Sequence, residues 1–133
     1  MLHVERRRSL VVFVAAVAAA IAVSSVALAA GGLSGTYATT IKSPAQLKGR
    51  WVLTFAHGGS YTVAVNGQAV ARGKYTWTAE TITLYREQGS GCTGAGTYAW
   101  KRSEKTVSFT KKRESASCQA RAVVLAHRFT QVR

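Results

Sequence analysis

Aspartate is absent from the 133 residues, and glutamate occurs only at positions 5, 80, 87, 104 and 114. Paired-carboxylate chemistry and Ser-His-Asp chemistry therefore have few residues to draw on. Past the first few positions histidine is limited to His57 and His127, each expected as a surface or capping residue rather than a general base. Neither HExxH spacing nor a Gly-Lys-Ser/Thr loop occurs, which removes the zinc-protease and P-loop readings. Cys92 and Cys118 are the only cysteines and have no CxxC spacing. Glu80, Glu87, Glu104 and Glu114 all fall in apparent turns or loops. These scarcities lead to an expectation of no enzyme activity, no metal and no cofactor.

Positive charge and apolar residues are what the chain has in quantity. Arg6, Arg7 and Arg8 precede a nearly uninterrupted apolar stretch from Leu10 to Leu28, closed by Ala27-Leu28-Ala29. A basic segment, an apolar segment and an A-x-A site make up a secretory signal peptide, so residues 1–29 are read as a signal removed on export. An uncleaved membrane anchor is the alternative, because the run approaches the ~20 residues that span a bilayer. Arg7-Arg8 leaves Sec and twin-arginine export both open. Residues 1–29 hold three of the eighteen basic residues and one of the five acids. Without them, fifteen Lys plus Arg face four Glu, a charge of about +11. An exported chain meets oxidising conditions, so Cys92 and Cys118 are expected to form a disulfide, with metal ligation or a catalytic thiol as the competing readings. Closing a loop of that length stabilises by ~3 kcal/mol.

Residues 30–34 read as a flexible leader and 35–133 as one domain. From Gly35 onward the chain alternates apolar and polar residues in short runs separated by turn signals. In Gly49-Arg50-Trp51-Val52-Leu53-Thr54-Phe55 a period of two puts Trp51, Leu53 and Phe55 on one face. Asn66-Gly67 is a type I′ hairpin signal. Ser43-Pro44-Ala45-Gln46-Leu47 reads as a helical turn with Ser43 as its N-cap and Pro44 at its first position. Strands are predicted near 35–41, 49–55, 61–65, 68–77, 81–85, 97–100, 106–110 and 128–132, with Gly73 a candidate bend and 111–117 a charged loop. Residues 119–126 suit either a helix or a strand. Eight strands with hairpin-length connections point to an all-β, antiparallel up-and-down barrel, since closure removes exposed edges. A half-open sandwich is the alternative.

Leu47-Lys48-Gly49-Arg50-Trp51 resembles the G-x-W opening of the lipocalins and the wider calycin barrels, here preceded by an additional strand. That resemblance implies that Trp51 closes one end of the barrel, with Arg121 or Arg128 packed across its ring. It further implies a small apolar ligand lined by Phe55, Tyr61, Val63, Tyr75, Trp77, Leu84, Tyr98 and Phe109. The same aromatic stripe would serve equally as solid core, because an eight-stranded barrel must fill itself or hold one small ligand.

The basic residues supply the rival reading. Arg50, Arg72, Lys74, Arg86, Lys101, Lys105, Lys111, Lys112 and Arg113 fall mostly on outward positions or loops, where they would attract an anionic membrane surface, an envelope polymer or a protein partner. Nucleic acid is not expected as the physiological partner, because the protein is read as exported and Tyr85 alone could stack a base from the basic surface. The protein is expected to be monomeric, secreted or on the exterior of the cell envelope.

Overall fold

The computed structural model describes residues 32–132; the segment read as an export signal lies outside the described residues. Eight strands follow one another around a closed antiparallel barrel: β1 (Gly35–Ile41), β2 (Gly49–Phe55), β3 (Ser60–Val65), β4 (Gln68–Trp77), β5 (Thr81–Gln88), β6 (Gly96–Ser103), β7 (Thr106–Arg113) and β8 (Phe129–Val132). Each strand pairs with its sequence neighbour, and β1 pairs with β8 to close the ring. The alternation set this arrangement: in β4 the buried positions are Ala71, Gly73 and Tyr75, with exposed residues between them. Asn66 and Gly67 both adopt positive φ, 50° and 87°, as a type I′ turn requires.

Three register shifts interrupt this regularity, and each inserts one residue. In the β3–β4 pair the extra residue falls on β4, between Ala69 and Ala71. In the β4–β5 pair, Lys74 meets Tyr85 while Arg72, two residues away, meets Gln88, three residues away. In the β6–β7 pair, neighbours Tyr98 and Thr97 meet Lys111 and Arg113. Bulges of this kind reverse which face the following side chains occupy.

The ring is also uneven. β8 has four residues and pairs only with Thr36–Ala38 of β1 and with Thr106 and Val107 of β7. Beyond it a helix, α1 (Gln119–Leu125), packs against β7. Residues 119–125 are therefore helical, and the spacing of Arg121, Val124 and Leu125 turns all three to the barrel interior.

The two ends are closed by different devices. One carries the turns at 56–59, 78–80 and 104–105 together with Leu33, which is fully buried and accepts a hydrogen bond from the Tyr37 hydroxyl at 3.0 Å. Leu33, placed in a flexible leader by the sequence, is thus part of the core. The other end carries a 3-10 turn (Ala45–Leu47), the Asn66-Gly67 hairpin, the 89–95 loop and α1. Pro44, not Ser43, is the cap of the 3-10 turn, and no side chain caps it. Cys92 and Cys118 form a disulfide with Cα atoms 4.7 Å apart, tying the 89–95 loop to the short turn that leads into α1.

Candidate functional site

The barrel interior divides into a filled part and a hollow part. In the filled part, Tyr75 packs edge-on to Phe55 with ring centroids 5.1 Å apart, Trp77 on Trp100 at 6.2 Å, and Phe109 on Phe129 at 6.2 Å. Each such pair adds ~0.5–1.5 kcal/mol beyond its buried area. Two of the polar tips are satisfied: the Tyr75 hydroxyl donates to Ala56 O at 2.8 Å, and Trp100 Nε1 to Thr78 O at 2.9 Å. Arg102 caps this end, donating to Gln131 Oε1 at 2.6 Å and to the Tyr37 hydroxyl at 3.2 Å.

The hollow part is a cavity of about 360 Å³ between the barrel wall and α1. Leu53, Val63, Leu84, Val124 and Leu125 give it apolar walls, and Trp51 flanks it with its Nε1 donating to Leu47 O at 2.7 Å. Gln46, Val70 and Ala120 line it and are also solvent-exposed, which marks where it reaches the surface.

One side of the cavity is charged. Arg121, projecting from α1, donates through Nε to Glu114 Oε2 at 2.8 Å and through Nη2 to Glu114 Oε1 at 2.6 Å. Nη2 also donates to Gly94 O at 3.0 Å, and Nη1 to Glu87 Oε1 at 3.3 Å. The Tyr61 and Ser90 hydroxyls donate to Glu87, and the Tyr98 hydroxyl donates to Glu114. The side chains of Arg121, Glu87 and Glu114 are 7%, 5% and 1% exposed. Ions buried this deeply persist only when paired and hydrogen-bonded. The cluster joins β3, β5, β6, the 89–95 loop, the segment after β7 and α1 across the hollow end.

The electrostatics follow from these contacts. Burial favours the neutral acid of Glu114, but hydrogen bonds from Arg121, Tyr98 and the Ser115 backbone outweigh it and hold the carboxyl below its usual range. Burial likewise opposes the charge on Arg121. The hydrogen bond and charge of Glu114, with smaller contributions from Tyr61 and Glu87, overcome it and raise the guanidinium's pKa. Burial first, then donation to a carboxylate, pushes the hydroxyls of Tyr61 and Tyr98 well above the ordinary tyrosine value.

Of the residues proposed to line a ligand site, Phe55, Tyr61, Val63 and Leu84 face the cavity. Tyr75, Trp77 and Phe109 belong instead to the filled part, and Tyr98 is spent on Glu114. Trp51 reaches the cavity, but the two candidate arginines do otherwise than expected. Arg121 is engaged by Glu114 and Glu87, and Arg128 lines a separate cleft with Lys101 and Arg102 at the filled end. Arginines lie over rings at Tyr37, beneath Arg102, and at Tyr85, beneath Arg86, both 5.9 Å from the centroid.

The sequence pattern puts Glu87 and Glu114 in turns or loops and marks neither as a site residue; the structure corrects this for Glu87. It lies in β5 and is buried. Ile82 and Leu84 point inward, so strict alternation would send Arg86 in and Glu87 out. The extra residue in β5, with Arg86 at φ 53°, reverses that order. β7, predicted to end at 110, extends to Arg113, and its own extra residue turns Glu114 inward after Phe109. Gly96 makes room for that carboxylate, because a Cβ there would collide with both of its oxygens. The available signal was two lone glutamates bracketing a glycine-rich loop, with one arginine at helical spacing from Val124 and Leu125.

No protein-family model, curated protein or solved structure matches the chain.

Proposed function

We propose that this protein is an exported, monomeric barrel of lipocalin-like type that holds a small apolar or amphipathic molecule without transforming it. The observation that carries this reading is the cavity of about 360 Å³, apolar on most sides and polar on one. Ligand pockets span roughly 300–1,000 Å³. An apolar cavity of about 150 Å³ accommodates benzene, so the space here suits a molecule roughly twice that bulk. The export signal read at residues 1–29 supports an extracellular carrier or scavenger. Titration with the uncharged fluorophore N-phenylnaphthylamine tests the proposal. Saturable enhancement at one site per chain is expected, and a linear response would overturn it.

A second reading, a scaffold whose loops hold an anionic envelope polymer or a membrane surface, is favoured by the pairing of charges. Among the described residues both salt bridges involve Arg121. Arg50, Arg72, Lys74, Arg86, Lys101, Lys105, Lys111, Lys112 and Arg113 are all exposed and none takes part in those bridges, so with fifteen cations against four acids the surface carries a net positive field. Lys101, Arg102 and Arg128 border a cleft of about 580 Å³. Native mass spectrometry of the protein purified from its own culture medium separates the readings. A co-purifying small molecule supports the carrier. A bare mass, together with polymer retention that persists at moderate salt, supports the scaffold.

A further inference from the structure

We propose that the polar side of the cavity selects a ligand whose head group donates a hydrogen bond and bears no negative charge, a hydroxyl or an amine, and rejects carboxylates. This rests on the carrier reading above and specifies its ligand class.

Two carboxylates, Glu87 and Glu114, surround a single guanidinium. With both ionised the cluster carries one net negative charge; with one protonated it is neutral. In neither state is a positive charge left over for an incoming anion. The donors are also committed. Four of the five N–H groups of Arg121 point at Glu87, Glu114 and Gly94 O. The hydroxyls of Tyr61, Ser90 and Tyr98 give their protons to the same two acids. What the cluster presents to the cavity is therefore chiefly acceptor capacity, while the donors that also line it, the Gln46 amide and the Ser117 hydroxyl, belong to solvent-exposed residues. Glu87 and Ser90 line it, and Glu87 Oε2 takes its protein hydrogen bond from Ser90 alone, where a carboxylate oxygen has room for about two.

A carboxylate entering here would shed its water to meet acceptors and like charge, whereas a hydroxyl or ammonium could donate to Glu87 while its chain lies along Leu53, Val63 and Leu84. The exposed cations act in the opposite sense, attracting an anion to the surface. A preference against carboxylates would thus have to originate in the cavity.

The test is calorimetric titration of the intact folded barrel with decan-1-ol, decylamine and decanoate at pH 7 and moderate salt, with displacement of N-phenylnaphthylamine as second readout. The expected result is that the alcohol, the amine or both bind at least about tenfold more tightly than decanoate, as desolvating an unpaired anion demands. Comparing alcohol with amine shows whether the neutral or the cationic donor is preferred. Decanoate binding as tightly as both others would overturn the inference while leaving the carrier reading intact. Failure of all three, and of the fluorophore, would overturn both. Glu87→Gln is expected to narrow the gap by strengthening decanoate binding; an unchanged gap in a folded variant would also count against the proposed selection.

Discussion

The two parts of this barrel interior are built from the same strands yet obey different rules. In the filled part, β8 completes the wall and successive inward positions carry rings that meet one another, such as Trp77 with Trp100 and Phe109 with Phe129. In the hollow part, β8 has stopped, α1 stands beside β7 in its place, and two bulges turn carboxylates inward toward Arg121. Phe55 is the boundary, touching Tyr37, Tyr75 and Phe109 on one side while lining the cavity on the other. The contrast teaches that an eight-stranded barrel of this length is not obliged to be solid. Space opens where regular pairing is interrupted and the interrupting residues are polar enough to hold one another in place.

Removing the cation that holds the hollow part together should perturb the protein most. Arg121→Ala would leave Glu87 and Glu114 buried without their shared partner, a change that costs about 3–5 kcal/mol. Urea unfolding should read this as a much lower midpoint. A loss under about 1 kcal/mol would mean that water already reaches the cluster and that the two parts differ less than their burial implies.

Overpacking should distinguish the parts next. Val107 is fully buried in the filled part, and Val107→Phe is expected to cost ~1–3 kcal/mol because no space awaits the ring. Ala71 lines the cavity, and Ala71→Leu should change stability by under about 0.5 kcal/mol, or raise it, while abolishing fluorophore binding. Equal destabilisation by both substitutions would erase the distinction between a filled part and a hollow one.

The smallest effect is a pH slope. The carboxyl of Glu114 is held below its ordinary value of 4.5 in the fold, so it contributes stability that is present above that value and lost as pH falls through the lower folded one. Unfolding midpoints measured from pH 6 downward should therefore decline on the acid side, in about that range. In Arg121→Ala the buried Glu114 carboxylate lacks its cation, so acidification should stabilise and the slope should change sign. A parent slope that survives the substitution would place its origin outside the cluster.

Much of the fold was legible because β-structure writes itself with a period of two. The strands at 35–41, 49–55 and 68–77 were read at their observed limits, and Asn66-Gly67 gave the hairpin. The same alternation turns Phe55, Tyr61, Val63 and Leu84 inward, where they line the cavity, though it does not tell a hollow interior from a filled one. The rest failed where the period itself breaks. One inserted residue in β5 and one in β7 are invisible to a pattern that assumes perfect alternation, which puts Glu87 and Glu114 outside the barrel interior. The lipocalin resemblance makes Arg121 a candidate to cover the Trp51 ring, whereas the structure places it against two acids.

Successive antiparallel hairpins with an apolar interior follow from the order of residues alone, because side-chain alternation and turn chemistry are local properties. That the interior is partly solid and partly open, and that one guanidinium and two carboxylates from separate elements share its polar side, emerges only when the strands close on one another. Burying those ions is tolerable only when all three arrive together, and that convergence depends on bulges, a shortened last strand and a helix whose joint effect no single stretch of sequence encodes.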